Sequence, residues 1–255
     1  IREISSGRDF PDALMNTNAN FAWSADGTAL LYAAKDAEFR PRLLYLHRLG
    51  MPQSDDKLVY EEMDPGFEVA VGTTQDKAWI VLSASDNQTS EEYLIDPKRP
   101  AEPPRLIYRR QAGVVFGVDH HDGEFIVRTN AGGAEDYKII RAPQAAPEPA
   151  NWRELVAHEP GRLVFSLMLR KDHLIWLERR DGLDRIKVRR LSDGAEHSVD
   201  FAEEAYDITL LNGSEFDTTT IRFEYSSMTT PAETYDYDIV TRQRSLRKRQ
   251  LLPSG

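Results

Sequence analysis

The sequence predicts an all-β fold made of repeated four-stranded antiparallel sheets, and three features lead to that prediction. Apolar and polar residues alternate in short runs, as in residues 221–225, where Arg222 and Glu224 separate three apolar side chains. Similar runs recur along the chain at a nearly constant interval. Pairs that favour tight turns, such as Asp26-Gly27 and Asp122-Gly123, lie between the runs.

The interval between equivalent strands is close to 48 residues. The second strands are centred at intervals of 48, 46, 49 and 48 on Tyr32, Ile80, Ile126, Ile175 and Phe223. The third strands are centred at intervals of 49, 45, 48 and 48 on Tyr45, Leu94, Ile139, Lys187 and Tyr235. One further apolar run precedes each pair of centres and another follows it. Four strands in each repeat of this length are typical of a β-propeller blade.

This repeat divides the chain into a partial β-propeller over residues 1–249. Residues 15–249 are predicted to form five blades, and residues 1–14 the second half of another blade. Residues 250–255 are predicted to begin a linker. Because the edges of an incomplete ring expose unpaired backbone groups, this pattern favours a domain taken from a longer polypeptide.

Composition narrows the range of functions. The net charge of −10, from 42 acidic and 32 basic residues, makes a nucleic-acid partner unlikely. No apolar run reaches the roughly 20 residues that a membrane helix needs. The absence of cysteine excludes disulfide and thiolate chemistry and fits a cytoplasmic location. A periplasmic location stays open, since the sequence begins at Ile1 and a leader could have been removed. The basic run at residues 242–249 is interpreted as the solvated face of an outer strand, with a docking patch as the alternative.

Catalytic motifs are missing from the sequence. No glycine is followed two positions later by serine, as a nucleophile elbow requires. His120-His121 lacks a second ligand cluster at a suitable spacing, so no metal is expected, and no cofactor motif is present. His47 and His173 are expected to be structural. We therefore predict no catalytic residue within the chain.

Four segments, in order along the chain, resemble the propeller of the prolyl oligopeptidase family of serine peptidases, most closely its oligopeptidase B branch. They are FAWSADG at residues 21–27, LVYEEMD at 58–64, SEEYLID at 90–96 and YSSMTTP at 225–231. The resemblance implies a seven-bladed propeller that caps an α/β-hydrolase domain, with about the last five blades present. Leu31 and Ser85 stand where prolyl-specific relatives carry an aromatic residue and an arginine, which favours the oligopeptidase B type.

The resemblance also implies a function. The expected parent is a serine oligopeptidase that cleaves short peptides after Arg or Lys, with this chain as its lid and size filter. The catalytic triad would lie beyond Gly255, so the chain alone is expected to be inactive. The alternative is a stand-alone propeller that acts as a binding module.

One edge of the blades is expected to face the catalytic domain and short basic peptide substrates. In an antiparallel meander, the loops after second and fourth strands emerge at the same edge. The candidate residues on it are Asp36, Glu38, Glu61, Glu62, Asp64, Asp86, Glu91, Glu92, Ser226, Ser227, Met228, Thr229 and Thr230. Its carboxylates would attract cationic peptides; the alternative interpretation is a solvated acidic rim.

Overall fold

Twenty β-strands form five four-stranded sheets in the computed structural model, which describes residues 1–213 and 215–251. In each sheet, neighbouring strands follow one another in the chain. The first sheet contains β1 (Thr17–Trp23), β2 (Ala29–Lys35), β3 (Pro41–Arg48) and β4 (Lys57–Glu61). The second contains β5 (Glu68–Thr73), β6 (Ile80–Ser85), β7 (Ser90–Ile95) and β8 (Arg105–Tyr108).

The remaining three sheets repeat this order. The third contains β9 (Phe116–His121), β10 (Glu124–Thr129), β11 (Lys138–Pro143) and β12 (Arg153–Val156). The fourth contains β13 (Arg162–Arg170), β14 (His173–Arg180), β15 (Leu183–Arg190) and β16 (Glu196–Ser198). The fifth contains β17 (Tyr206–Leu211), β18 (Thr220–Ser227), β19 (Glu233–Asp238) and β20 (Gln243–Arg249). Two 3₁₀ turns, Gln53–Asp55 and Pro149–Asn151, precede β4 and β12.

The predicted all-β architecture of four-stranded antiparallel blades is confirmed. Every strand centre inferred from the 48-residue repeat lies in a strand of the predicted rank, although Ile80 begins its strand. Residues 1–14 contain less regular structure than predicted. Arg2 and Asp9 form a single antiparallel bridge, and no named strand lies in this segment. The assignment of this hairpin to another blade stays a prediction. Residues 252–255 of the expected linker lie outside the described residues.

The chain divides into two compact units, residues 1–120 with 142–152 and residues 121–141 with 153–255. In the first unit, the facing sides of the first two sheets share one apolar core. Its members alternate along the strands, as the period of two requires. Leu31, Leu44, Leu82 and Ile80 are among the fully buried side chains. Burying a side chain of this size stabilises the fold by roughly 1.5–3 kcal/mol.

The second unit has two apolar clusters. Trp176, Leu174 and Ile139 are buried in one cluster. Phe223 and Ile175 are buried in the other, which joins the fourth and fifth sheets. The alternating residues of β18 therefore bury one face of the strand, as the sequence predicts. The opposite face carries the exposed Arg222 and Glu224.

The two-residue turn between β9 and β10 shows why the Asp-Gly pair is needed there. Asp122 has φ 49° and Gly123 has φ 78°, so both residues lie in the left-handed region. Only glycine adopts it without cost, and Asp tolerates it better than most residues.

As to membrane association, none of the helical segments in residues 1–213 and 215–251 has the length and apolar character of a membrane-crossing helix.

Candidate functional site

The loops that follow the even-numbered strands of the first unit lie together at one edge. The Arg40 guanidinium, after β2, donates a 2.9 Å hydrogen bond to the Pro65 carbonyl oxygen, after β4. Arg110, after β8, reaches the carboxylate of Glu62, after β4. These contacts place the predicted loops of this unit at a common edge, as the antiparallel topology requires.

The loop after β2 is held in a fixed shape by Asp36. One oxygen of its carboxylate accepts hydrogen bonds from the backbone amides of Glu38, at 2.8 Å, and Arg40, at 3.0 Å. The bond from the Arg40 amide is the largest cause of a lowered pKa of Asp36. Phe39, at the tip, has φ 63° and a side chain that is 76% exposed. A bulky residue at positive φ is strained, so the surrounding bonds must impose this conformation.

Glu62, in the loop after β4, is buried and joined to several donors. One carboxylate oxygen accepts bonds from the Arg110 guanidinium at 2.5 Å and the Tyr60 hydroxyl at 3.0 Å. The other accepts the Asp64 amide at 2.8 Å. Arg42 binds the Glu62 carbonyl oxygen from its Nε at 2.8 Å. Glu62 therefore fixes the loop instead of facing solvent, and Met63 next to it is 74% exposed.

Glu91 completes the buried ionic cluster. Its carboxylate accepts the Tyr93 hydroxyl at 2.5 Å and the Arg110 guanidinium at 3.2 Å, while the Arg110 amide donates at 3.1 Å. Burial by itself would raise the pKa of Glu91, but these three bonds outweigh it and the pKa is lowered. Arg110 also lies over the Phe67 ring, 4.0 Å from its centroid, which adds a cation–π contact.

Glu92, the next residue along β7, has the opposite environment. It is 2% exposed and pairs across the sheet with Ser83, whose hydroxyl donates to it at 2.9 Å. Burial without a nearby cation raises the pKa of Glu92 to about 8. The protonated, uncharged form of Glu92 is therefore favoured at pH 7.

The interpretation of the whole predicted set as a charged, solvent-facing rim is thus wrong for three residues. Glu62, Glu91 and Glu92 are all buried. Arg110 pairs with Glu62 and Glu91, and protonation makes Glu92 neutral, so none of the three is a free buried charge. The exposed acids of this edge are Glu38, Glu61, Asp64 and Asp86. Glu38 is paired with Arg40, and Asp86 caps the amides of Gln88 and Thr89.

The predicted residues of the second unit form a loop organised by Glu203. Its carboxylate accepts hydrogen bonds from the hydroxyls of Tyr225 and Thr229, each at 3.0 Å, and of Thr230 at 2.8 Å. Hydrogen bonds from the Ser227 and Thr230 hydroxyls are the largest causes of a pKa near 2 for Glu203.

Within the loop, the Ser227 hydroxyl oxygen accepts the Thr229 and Thr230 amides, at 3.1 and 2.9 Å. Met228 at the tip is 95% exposed, whereas Ser226 lies within β18 and pairs with Asp207. The run of hydroxyl residues in the sequence is therefore a turn wrapped around one carboxylate.

Sequence reasoning missed Arg110, Phe67 and Glu203 as organising residues. Each one acts through a partner distant in sequence, such as Glu62, 48 residues before Arg110. The 48-residue repeat could have paired Arg110 with Glu62, since both follow a fourth strand. Within the described part of the chain, no group of three or more His, Asp or Glu side chains is arranged to hold a metal ion.

Comparison with known proteins identifies the family. Residues 1–250 match the family model of the prolyl oligopeptidase N-terminal β-propeller domain. The chain belongs to the prolyl oligopeptidase family. Its relatives include dipeptidyl aminopeptidase BI of Pseudoxanthomonas mexicana, 33% identical over 99% of this chain and 35% of that protein. Protease 2 of Moraxella lacunata is 26% identical over 96% of this chain and 35% of its own length.

Solved structures of the prolyl oligopeptidase family agree. Oligopeptidase B from Leishmania major matches 97% of this chain and 36% of that protein, with 27% identity and a TM-score of 0.89. Oligopeptidase B from Trypanosoma brucei, in a closed form with covalently bound antipain, gives a TM-score of 0.87 and 26% identity over 94% of this chain and 35% of its own. The chain therefore spans about a third of the length of these relatives. The predicted resemblance and propeller fold are confirmed.

Proposed function

We propose that this chain is the propeller domain of a serine oligopeptidase of the oligopeptidase B type. In this role it covers an α/β-hydrolase catalytic domain and admits only short, flexible peptides, which are cleaved after Arg or Lys. The similarity to oligopeptidase B over 97% of the chain, at a TM-score of 0.89, carries the proposal. The loss of the prolyl-type aromatic and arginine, at Leu31 and Ser85, supports it.

Exposed apolar side chains support the assignment of the catalytic-domain face. Phe39 and Met63 lie at loop tips of the candidate edge in the first unit, and Met228 lies at the corresponding loop tip of the second. Large apolar side chains held on preorganised loops are typical of an interface. The hydrogen bonds of Asp36, Glu62 and Glu203 restrict these loops, which lowers the entropy that is lost on docking.

Attraction of cationic peptides to this edge depends on fewer acidic residues than the sequence predicted. Glu61, Asp64 and Asp86 are the exposed carboxylates that can raise the local concentration of cationic peptides. Such attraction is screened by salt over a Debye length of about 8 Å at physiological ionic strength.

Replacement of Glu61 by Gln and Asp64 by Asn in the enzyme that carries this chain should lower kcat/KM for dibasic peptides and flatten its salt dependence. A matched control is Asp55→Asn with Glu102→Gln, two exposed acids in loops after odd-numbered strands. An equal change in both double variants would refute the role of this edge.

The activity itself is tested with two reporters, because one relative is a dipeptidyl aminopeptidase. An amino-blocked arginyl reporter detects endopeptidase cleavage, whereas a dipeptide reporter with a free amino terminus detects the activity in that relative's name. We expect the parent enzyme to cleave the blocked reporter and the isolated chain to cleave neither. Cleavage of the unblocked reporter alone would favour the second function. No hydrolase domain in the parent reading frame would favour the stand-alone binding module.

A further inference from the structure

The N-terminal segment that precedes β1 is fastened to the first sheet by a buried Asp–His–Asp cluster. The two ring nitrogens of His47, on β3, contact different carboxylates: Nδ1 lies 2.8 Å from Asp56 Oδ1 and Nε2 lies 2.9 Å from Asp12 Oδ1. The side chains of all three are at most 3% exposed. Asp12 belongs to the N-terminal segment, whereas Asp56 lies just before β4.

The hydrogen-bond pattern sets the protonation state of this cluster. Asp12 Oδ1 also accepts the Gly50 amide at 2.6 Å, and Asp56 Oδ2 accepts the Tyr32 hydroxyl at 2.8 Å. As carboxylates, both groups can only accept hydrogen bonds, so each contact from His47 requires an N–H group. A neutral imidazole has only one N–H, and its lone pair would face the other carboxylate. The geometry therefore calls for an imidazolium.

Two further contacts show that the segment lies along the sheet. The side-chain amide of Gln53 pairs with the Met15 backbone, accepting its N–H at 2.9 Å and donating to its carbonyl at 3.1 Å. The Lys35 amide donates to the Asn16 carbonyl at 2.8 Å. Neither contact involves a charge, so the cluster is the ionic anchor of the segment.

We propose that residues 12–16 are a strap fastened to the first sheet by the Asp12–His47–Asp56 cluster, and that the strap detaches when His47 loses a proton. Deprotonation leaves two buried carboxylates without a cation between them and only one ring N–H to serve both. In the tautomer that keeps the proton on Nδ1, the Nε2 lone pair faces Asp12 and that contact becomes repulsive. Burial alone would lower the pKa of His47, but the bonds to Asp12 and Asp56 outweigh it and the pKa is raised. Those carboxylates are the charged groups that face the ring, with the Tyr32 hydroxyl behind Asp56.

The protonation state is tested on the unaltered chain by ¹⁵N NMR of labelled histidines. At pH 7 we expect both His47 nitrogens to give the shifts of protonated ring nitrogens. A neutral tautomer would overturn the proposal. His121, whose ring contacts only the Lys171 carbonyl oxygen among the polar contacts described, serves as the internal reference.

The strap itself is tested by hydrogen exchange of residues 12–16, corrected for intrinsic rates. Asp12→Asn should speed this exchange about tenfold or more, as the loss of a charge-assisted hydrogen bond predicts, with β2 and β3 unchanged and His121→Asn as the control. Unchanged exchange would overturn the proposal. If Asp12→Asn also speeds exchange in β2 and β3, exchange of the unaltered chain is measured over a range of pH instead. The corrected exchange of residues 12–16 must then rise as His47 deprotonates, and His47→Asn must abolish that rise.

Discussion

Replacement of Glu92 by Gln should stabilise the protein at neutral pH, although it alters a fully buried residue. The carboxyl has a pKa of about 8 in the folded protein, against a usual value of 4.5. Below pH 4.5 it is protonated in both states and there is no cost. As pH rises toward 8, only the unfolded chain releases the proton, so the free energy of unfolding falls. Gln has the same shape and never ionises.

The size of the effect follows from the pKa difference. Each pH unit above 4.5 lowers the free energy of unfolding by about 1.4 kcal/mol, so the cost at pH 7 is roughly 3 kcal/mol. Gln retains an oxygen that can accept the Ser83 hydroxyl bond of 2.9 Å. We therefore expect Glu92→Gln to add on the order of 2–3 kcal/mol at pH 7 and close to nothing at pH 4.5. Urea unfolding at pH 4.5, 6, 7 and 8 measures this.

Glu91, its neighbour on β7, provides the matched control. Its pKa is lowered in the folded protein, so the stability it contributes is present above the unfolded pKa and is lost as pH falls through the folded pKa. Glu91→Gln removes a buried acceptor from Arg110 and should destabilise the protein at pH 7 by about 2–3 kcal/mol. If both variants shift stability in the same direction, or if the effect of Glu92→Gln does not change with pH, the reasoning is refuted.

Three further outcomes are expected. Glu203→Gln should weaken the hydrogen bonds that the Tyr225, Thr229 and Thr230 hydroxyls donate to this side chain, and so speed amide exchange in residues 226–230, measured by mass spectrometry. Unchanged slow exchange would mean that the turn keeps its shape without the charge. The pKa of His197 is lowered, chiefly by burial, so stability should fall as pH drops below about 6.5. His197→Gln should reduce that fall in thermal unfolding curves. Gly123→Ala, at φ 78°, should cost about 1–2 kcal/mol, and Ala substitution at Gly72, which has ordinary φ and open space, should cost less.

The blades could be predicted from sequence because alternation and turn chemistry act over a few residues. The alternation of Ile221, Phe223 and Tyr225 with polar residues predicts which face of β18 is buried, and all three side chains are buried in the structure. The 48-residue repeat then places the other strands without any knowledge of tertiary contacts. At residues 1–14 the structure shows one antiparallel bridge, between Arg2 and Asp9, and the assignment of this segment to another blade stays a prediction.

The acidic edge could not be predicted in the same way, because the charge of a carboxylate depends on its partner. Glu61 and Glu62 are adjacent, and so are Glu91 and Glu92, yet one member of the first pair is exposed and both members of the second are buried. Arg110 neutralises part of this charge from 48 residues away, and protonation removes that of Glu92.

A count of acids in the sequence therefore overstates the field that this edge can exert. Buried carboxyl groups are either paired with a cation or protonated, because burial of an unpaired carboxylate costs several kcal/mol of folding free energy. Any attraction of basic peptides must then come from the exposed residues, among them Glu61 and Asp64. For this reason a double substitution at these two positions is a sharper test than one that includes Glu62, whose loss would disturb the loop that presents Met63.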